Sequence, residues 1–292
     1  MKLFAVPNVS TAAPELVDDL GSLFGSHGAV LCDAHSDPDH GRTVFSACGT
    51  PFDLVQALTQ LAARSAARID VVASAAGQHP HVGALDVAPF VYPDDGLRGA
   101  ACAAALTLAH AIGELGIPVF LYGELTAAEG RPERTRAQLR SGGVSRLAER
   151  IAAGELTPDF GPRHIHPAAG ATLVAARAPL VAFNVVLSGG DLLTARSVAA
   201  RVREGADHGL SGLRAIGVLL EGHRAQVSMN VERPLEVPLA EVLAAVAALA
   251  EVQSAEIVGL VPEAALEGFP PEVPIVGFDP ARQLLENALG SC

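Results

Sequence analysis

The sequence predicts an α+β protein of two subdomains of the split βαβ type, each an antiparallel sheet with helices on one face. Three observations predict it. A strand–helix–strand–strand–helix–strand order can be read twice along the chain, and the turn EGHR joins the middle strands of the second copy as a hairpin. The 292 residues, half of them apolar, also suffice for two modest cores.

In the first copy, residues 2–6 read as a strand. Residues 13–27 carry Leu16, Leu20, Leu23 and Phe24 at the spacing of one helical face, with Thr11 placed to cap them. Residues 29–32 and 43–47 are strands joined by HSDPDHGR, residues 52–68 are a helix with Leu54, Leu58 and Leu61 on one side, and residues 69–73 are the fourth strand. The second copy has a strand at 180–187, a helix at 192–203, strands at 213–220 and 225–231, a helix at 239–249 and a strand at 256–261. Between the copies lies an insertion: an extended stretch at 88–91, an Ala-rich helix at 98–115, a strand at 118–122, the polar loop AAEGRPERTR and a helix at 144–151. The boundary falls near 177–179, giving subdomains 1–177 and 178–292.

Composition narrows the class of partner. A net charge of −12, with 4% aromatic residues and no Trp, argues against nucleic acid, which needs clustered cations and stacking surfaces. A small-molecule ligand is expected. The amino terminus has a four-residue apolar run before Pro7, too short for a signal-peptide core, and the longest apolar stretch is interrupted by His110, Glu114, glycines and Pro118, so no membrane partner is expected. Cys32, Cys48, Cys102 and Cys292 are scattered without a CxxC pair, which suggests neither a zinc knuckle nor a dense disulfide framework and fits a reducing cytoplasm.

Three polar segments could carry chemistry. In GQHPHVGALDV, residues 77–87, Pro80 stiffens the backbone beside His79 and the glycines permit close approach. Histidine suits proton transfer near neutral pH and Asp86 could orient it, but on the pattern alone a Gly/Pro turn with solvated histidines is the favoured reading. HSDPDHGR mixes His, Asp and Arg in a spacing that matches neither a calcium loop nor a zinc motif. Arg42 within it has the fork geometry to clamp a substrate carboxylate. PDFGPRHIHPAAG, residues 158–170, is kept irregular by its prolines and glycines. It reads as an ordered loop and ligand wall between subdomains, and a third ligand that would make His164 and His166 a metal site is missing from its spacing.

Taken in order, VPNVS, RTV, GQHPHVGALDV, VFLYGE, PDFGP, GAT, AFNVVL, AQVSMNV and EIVGLVP resemble the formiminotransferase domain of glutamate formiminotransferases and of formiminotransferase-cyclodeaminase, over nearly the whole chain. The resemblance implies paired ferredoxin-like subdomains, a cytoplasmic homodimer, and transfer of the formimino group of N-formimino-L-glutamate to N5 of tetrahydrofolate, a co-substrate, with no metal. It implies His79 as general acid/base. It places folate contacts on Gly161, Pro162, Arg163, His164, Ile165, His166, Pro167, Ala168, Ala169 and Gly170, and substrate contacts on Asp39 and Arg42, with Arg163 and Arg177 as further cations. Two positions depart from the family's DxDxxxNR-like stretch: His35 stands where the second Asp would be and Gly41 where the Asn would be. The second subdomain also looks shortened between AQVSMNV and EIVGLVP, and no cyclodeaminase domain is expected. An N-formyl or other one-carbon donor, or folate binding without turnover, are the alternatives.

Overall fold

The computed structural model describes residues 1–73, 81–127, 133–207 and 209–292, and divides into two units, Met1–Ala178 together with Cys292, and Pro179–Ser291. The first unit opens with β1 (Leu3–Ala5) and β2 (Asn8–Val9), then α1 (Pro14–Ser26), β3 (Val30–Asp37), β4 (Arg42–Gly49), α2 (Pro51–Arg68) and β5 (Leu85–Val91). There follow α3 (Arg98–Glu114), β6 (Val119–Leu121), α4 (Arg136–Arg140), α5 (Gly143–Ala152) and β7 (Thr172–Arg177). The β3, β4, β1/β2 and β5 strands pair antiparallel, which makes a ferredoxin-like βαββαβ core.

The fourth strand of that core is β5, not residues 69–73. Although Ile69 and Val71 are buried, the Asp70 carboxylate accepts the N–H groups of Val72 and Ala73, at 3.1 and 2.9 Å, and holds the segment as a turn. A local side-chain acceptor here competes successfully with a ladder. The first sheet is also mixed where an antiparallel one was expected. β7 pairs parallel with β5, and β6 parallel with β7, so two further strands extend the core. Runs such as LDVAPFV, buried at all seven positions, are what a strand covered on both faces requires.

Alternation along these strands sorts the core into two layers. Phe90, Val119, Val174 and Ala176 pack with Leu20, Leu58, Leu61 and Leu108 of α1, α2 and α3. Val87, Phe120, Leu173 and Ala175 pack on the other side with Leu139 of α4 and with Leu147 and Ile151 of α5, so helices cover both faces there. Pro14 and Pro51 stand at the helix starts; Thr50 caps α2 by accepting the Asp53 N–H, whereas Thr11 accepts the N–H of Ala13, ahead of α1. Cys48 of β4 and Cys292 are joined by a disulfide within this unit, a pair the scattered cysteines did not suggest.

The second unit repeats the core: β8 (Val181–Leu187), α6 (Leu192–Val202), β9 (Leu213–Leu220), β10 (Arg224–Val231), α7 (Leu239–Ala247) and β11 (Val252–Val258), in the antiparallel sheet order β11-β8-β10-β9, followed by the short helices α8 (Pro280–Gln283) and α9 (Leu285–Ser291). Phe183, Val227 and Met229 face Val198, Val242 and Val246 of its two long helices. Asn184 in β8 is satisfied across the sheet by donating to Glu256, at 2.9 Å. Among the described residues no helix is long and apolar enough to cross a membrane.

Candidate functional site

The motifs scattered along the chain meet because the first sheet is threaded out of sequence order. Ser10 of VPNVS donates its N–H to the Ala84 carbonyl, at 2.9 Å, and its hydroxyl to the Gly83 carbonyl, at 2.8 Å, which ties β2 to GALDV. On the other side, the Ala171 N–H reaches the Val82 carbonyl at 2.8 Å and the Ala84 N–H the Ala169 carbonyl at 2.9 Å. This contact explains two glycines. A Cβ on Gly83 would stand 1.8 Å from the Ala171 oxygen, and one on Gly170, whose φ is +70°, 2.1 Å from the Val82 oxygen. Asp159 of PDFGP accepts the Leu121 N–H at 2.7 Å and pairs with Arg134, so that loop also holds β6 in place.

A small cleft opens at this junction, lined by Asn8, Val9, Ser10, His40, Arg42, His81, Asp86 and Arg140. All eight residues belong to the first unit. Asp86, on β5 and 4% exposed, accepts the Val82 N–H at 2.8 Å with one oxygen and pairs with Arg140, at the end of α4, through the other. Arg42 begins β4. Burial pulls its guanidinium down to about 10, and the charge of Arg140 acts in the same direction, so it remains a cation at neutral pH. Among the described residues no carboxylate forms an ion pair with it, because Arg140 occupies Asp86 and His40 occupies Asp37.

The β3–β4 turn carries the second pair. His40, 3% exposed, donates its N–H to one oxygen of Asp37, at 3.0 Å, and its Nδ1 meets the other oxygen. Burial alone would raise the Asp37 carboxyl. The hydrogen bonds from His40, with the charges of His40 and Arg42, outweigh that and hold it at about 2.

Of the residues expected from sequence, Arg42 lines the cleft and Asp39, in the β3–β4 turn, does not; its neighbours His40 and Arg42 do. His79 lies outside the described residues, while His81, two positions on in the same motif, is part of the lining. The 161–170 loop adjoins the motif through Ala169 and Gly170, with Arg163 and His164 exposed. His166 serves the loop itself: its Nδ1 accepts the N–H groups of Ala168 and Ala169, at 3.2 and 2.9 Å. Among the described residues no group of three His, Cys, Asp or Glu side chains could hold a metal ion. Of the two departures, His35 sits in β3 opposite Val44, away from the cleft lining. Gly41 has a φ of +61°, a conformation that Asn also tolerates, so Gly for Asn there is a backbone-compatible exchange.

Sequence reasoning missed Arg140, His40, Asp37, Ser10 and Asn8. One signal could have found Arg140. Thr135 and Gln138 form a capping box that starts α4, a Thr-x-x-Gln pattern legible in the sequence.

Fold and cleft together define a protein of two ferredoxin-like units whose first unit gathers two guanidinium groups, two imidazoles and a carboxylate around one cleft. The model of the formiminotransferase domain, N-terminal subdomain, matches residues 2–177. The chain is 38% identical over 231 residues to the glutamate formimidoyltransferase of Streptococcus pyogenes serotype M1, covering 77% of this chain and 76% of that protein. It is 33% identical over 245 residues to that of Thermoplasma acidophilum, covering 81% and 79%. With the formimidoyltransferase-cyclodeaminase of Sus scrofa it shares 37% over 243 residues, covering 77% of this chain and 43% of that larger protein. The chain belongs to the formiminotransferase family.

Proposed function

We propose that the chain is a glutamate formiminotransferase that moves the formimino group of N-formimino-L-glutamate to N5 of tetrahydrofolate. The observation that carries this reading is Arg42, a cation that forms no ion pair among the described residues, beside Arg140 in a cleft lined also by His81. A donor bearing two carboxylates supplies an anion for it, and the guanidinium fork takes a carboxylate in a bidentate grip. The family match and the names of the bacterial and archaeal relatives support the same chemistry. Residues 1–177 and 178–292 as the two subdomains, a homodimer and a cytoplasmic setting belong to the same proposal, and the family model's span of residues 2–177 supports the first of these.

The reaction needs a proton removed from N5 after it attacks the amidine carbon and a proton delivered to the departing glutamate nitrogen. We assign the shuttle to His79 on the strength of the GxHP match, and the folate contacts to the 161–170 loop, whose Ala169 carbonyl accepts the Ala84 N–H of GALDV. General acid/base participation contributes ~10²–10⁴-fold; the rest comes from holding two substrates together. The test is a comparison of N-formimino-L-glutamate with N-formyl-L-glutamate as donors to tetrahydrofolate, followed by product absorbance. Turnover with the formimino donor is expected. Turnover with the formyl donor alone, or with neither, overturns the assignment.

A further inference from the structure

We infer that His81 is a specificity-determining residue of the cleft, a titratable second grip that takes up a proton as the donor binds and holds the donor carboxylate that Arg42 does not. The inference deepens the formimino-transfer reading above and rests on it. His81 lines the cleft with Arg42 and Arg140 and is half-buried, so part of it stays open to solvent. The backbone beside it is fixed: the Val82 N–H donates to Asp86 at 2.8 Å, and the Val82 carbonyl accepts the Ala171 N–H at 2.8 Å. Among the described residues no hydrogen bond or ion pair engages the His81 ring, which leaves its nitrogens for a ligand.

The charges around the ring decide what a second grip must be. Arg140 is met by Asp86 and His40 is held by Asp37, so Arg42 is the guanidinium of the lining that stands outside an ion pair among the described residues. The start of α5 approaches the His81 backbone, where a Cβ on Gly143 would stand 3.7 Å from the His81 oxygen, and the charged residues Arg146 and Glu149 of that helix pair with each other. A donor with two carboxylates therefore meets one unpaired guanidinium.

An imidazole can supply the second cation, because it is the side chain whose charge ordinarily changes between about pH 5 and 8. A carboxylate laid against the ring favours the imidazolium. Donor binding then draws one proton from solvent onto the ring, and the added positive charge matches the second carboxylate. No other bond changes in this step. Since the bound state holds the extra proton, donor binding weakens as pH rises through the imidazole range.

The test follows KM for N-formimino-L-glutamate at saturating tetrahydrofolate, from about pH 6 to about pH 8.5, in the full chain as wild type, His81→Gln and His81→Arg. Wild-type KM is expected to rise with pH, toward the limit of about tenfold per pH unit that one linked proton sets. Near the acid end His81→Gln raises KM ~10-fold, the low end for a hydrogen bond to a charged group, and changes kcat by less; at the alkaline end it approaches the wild type. The preference for this donor over N-formiminoglycine, which has one carboxylate, falls with it. His81→Arg, a permanent cation, keeps the low KM at every pH. A loss in His81→Gln that is equal at every pH and is not restored by His81→Arg marks a structural residue and overturns the inference, as does a wild-type KM in His81→Gln at the acid end. No turnover by the wild type ends the formimino reading and this one with it, whereas wild-type turnover with a donor KM unmoved by His81→Gln ends this one alone.

Discussion

Replacing Asp86 with Asn removes the charge that Arg140 faces while keeping an oxygen for the Val82 N–H. Both partners are nearly out of water, with side chains 6% and 11% exposed. Breaking a buried ion pair from one side typically costs ~3–5 kcal/mol, because the surviving charge is left desolvated. The cost should be at the upper end here, since Arg42 also lines the cleft and repels the stranded Arg140. At about 2–4 °C per kcal/mol for a chain of this size, the melting temperature should fall by roughly 6–20 °C. Asp86→Ala adds the penalty of an unpaired buried N–H, about 1–3 kcal/mol more. Urea unfolding of wild type, Asp86→Asn, Arg140→Met and the double variant measures the coupling directly. The double variant should recover much of the loss. A cost below about 1 kcal/mol for Asp86→Asn, the range of exposed pairs, would refute the claim that this pair is structurally desolvated.

The other effects are more local. Gly83→Ala and Gly170→Ala should each unfold or severely destabilise the first unit, by ~4 kcal/mol or more, because their new methyl groups meet backbone oxygens; Gly41→Ala, at an open turn, should cost far less in the same thermal melts. The Asp37 carboxyl is held at about 2, below its ordinary 3.8, so its contribution to stability is complete above about pH 4 and lost as pH falls toward 2. Acid titration should accordingly show wild type losing stability more steeply than Asp37→Asn in that window. Reducing the Cys48–Cys292 disulfide, or replacing Cys292 with Ser, should lower stability by ~2–4 kcal/mol, and thiol labelling with and without reductant reports whether the bond is present.

What the sequence made legible follows from how local each signal is. Helices α1, α2, α6 and α7 and the first three strands of the second unit are readable because one-face periodicity and short polar turns are properties of neighbouring residues, whereas the last strand, expected at 256–261, runs from Val252 to Val258. Residues 69–73 are apolar enough for a strand, and only the Asp70 side chain turns them aside. The parallel pairing of β5 with β7 joins segments more than eighty residues apart, and nothing in either run announces its partner. The site divides in the same way. Arg42 stands out in a polar stretch of an apolar chain, but its meaning comes from Arg140, almost a hundred residues on, having claimed the nearby Asp86. His40 reads as one more residue of a polar turn until its burial and its place in the cleft wall are seen.

The central claim is that the cleft receives the carboxylate of the one-carbon donor on Arg42, and steady-state kinetics with N-formimino-L-glutamate at saturating tetrahydrofolate test it most directly. For Arg42→Ala, loss of a charge-assisted hydrogen bond of ~1.5–3 kcal/mol predicts kcat/KM for the donor lowered roughly 10–150-fold, with tetrahydrofolate affinity retained. A variant that matches the wild type in kcat/KM for the donor would contradict the account.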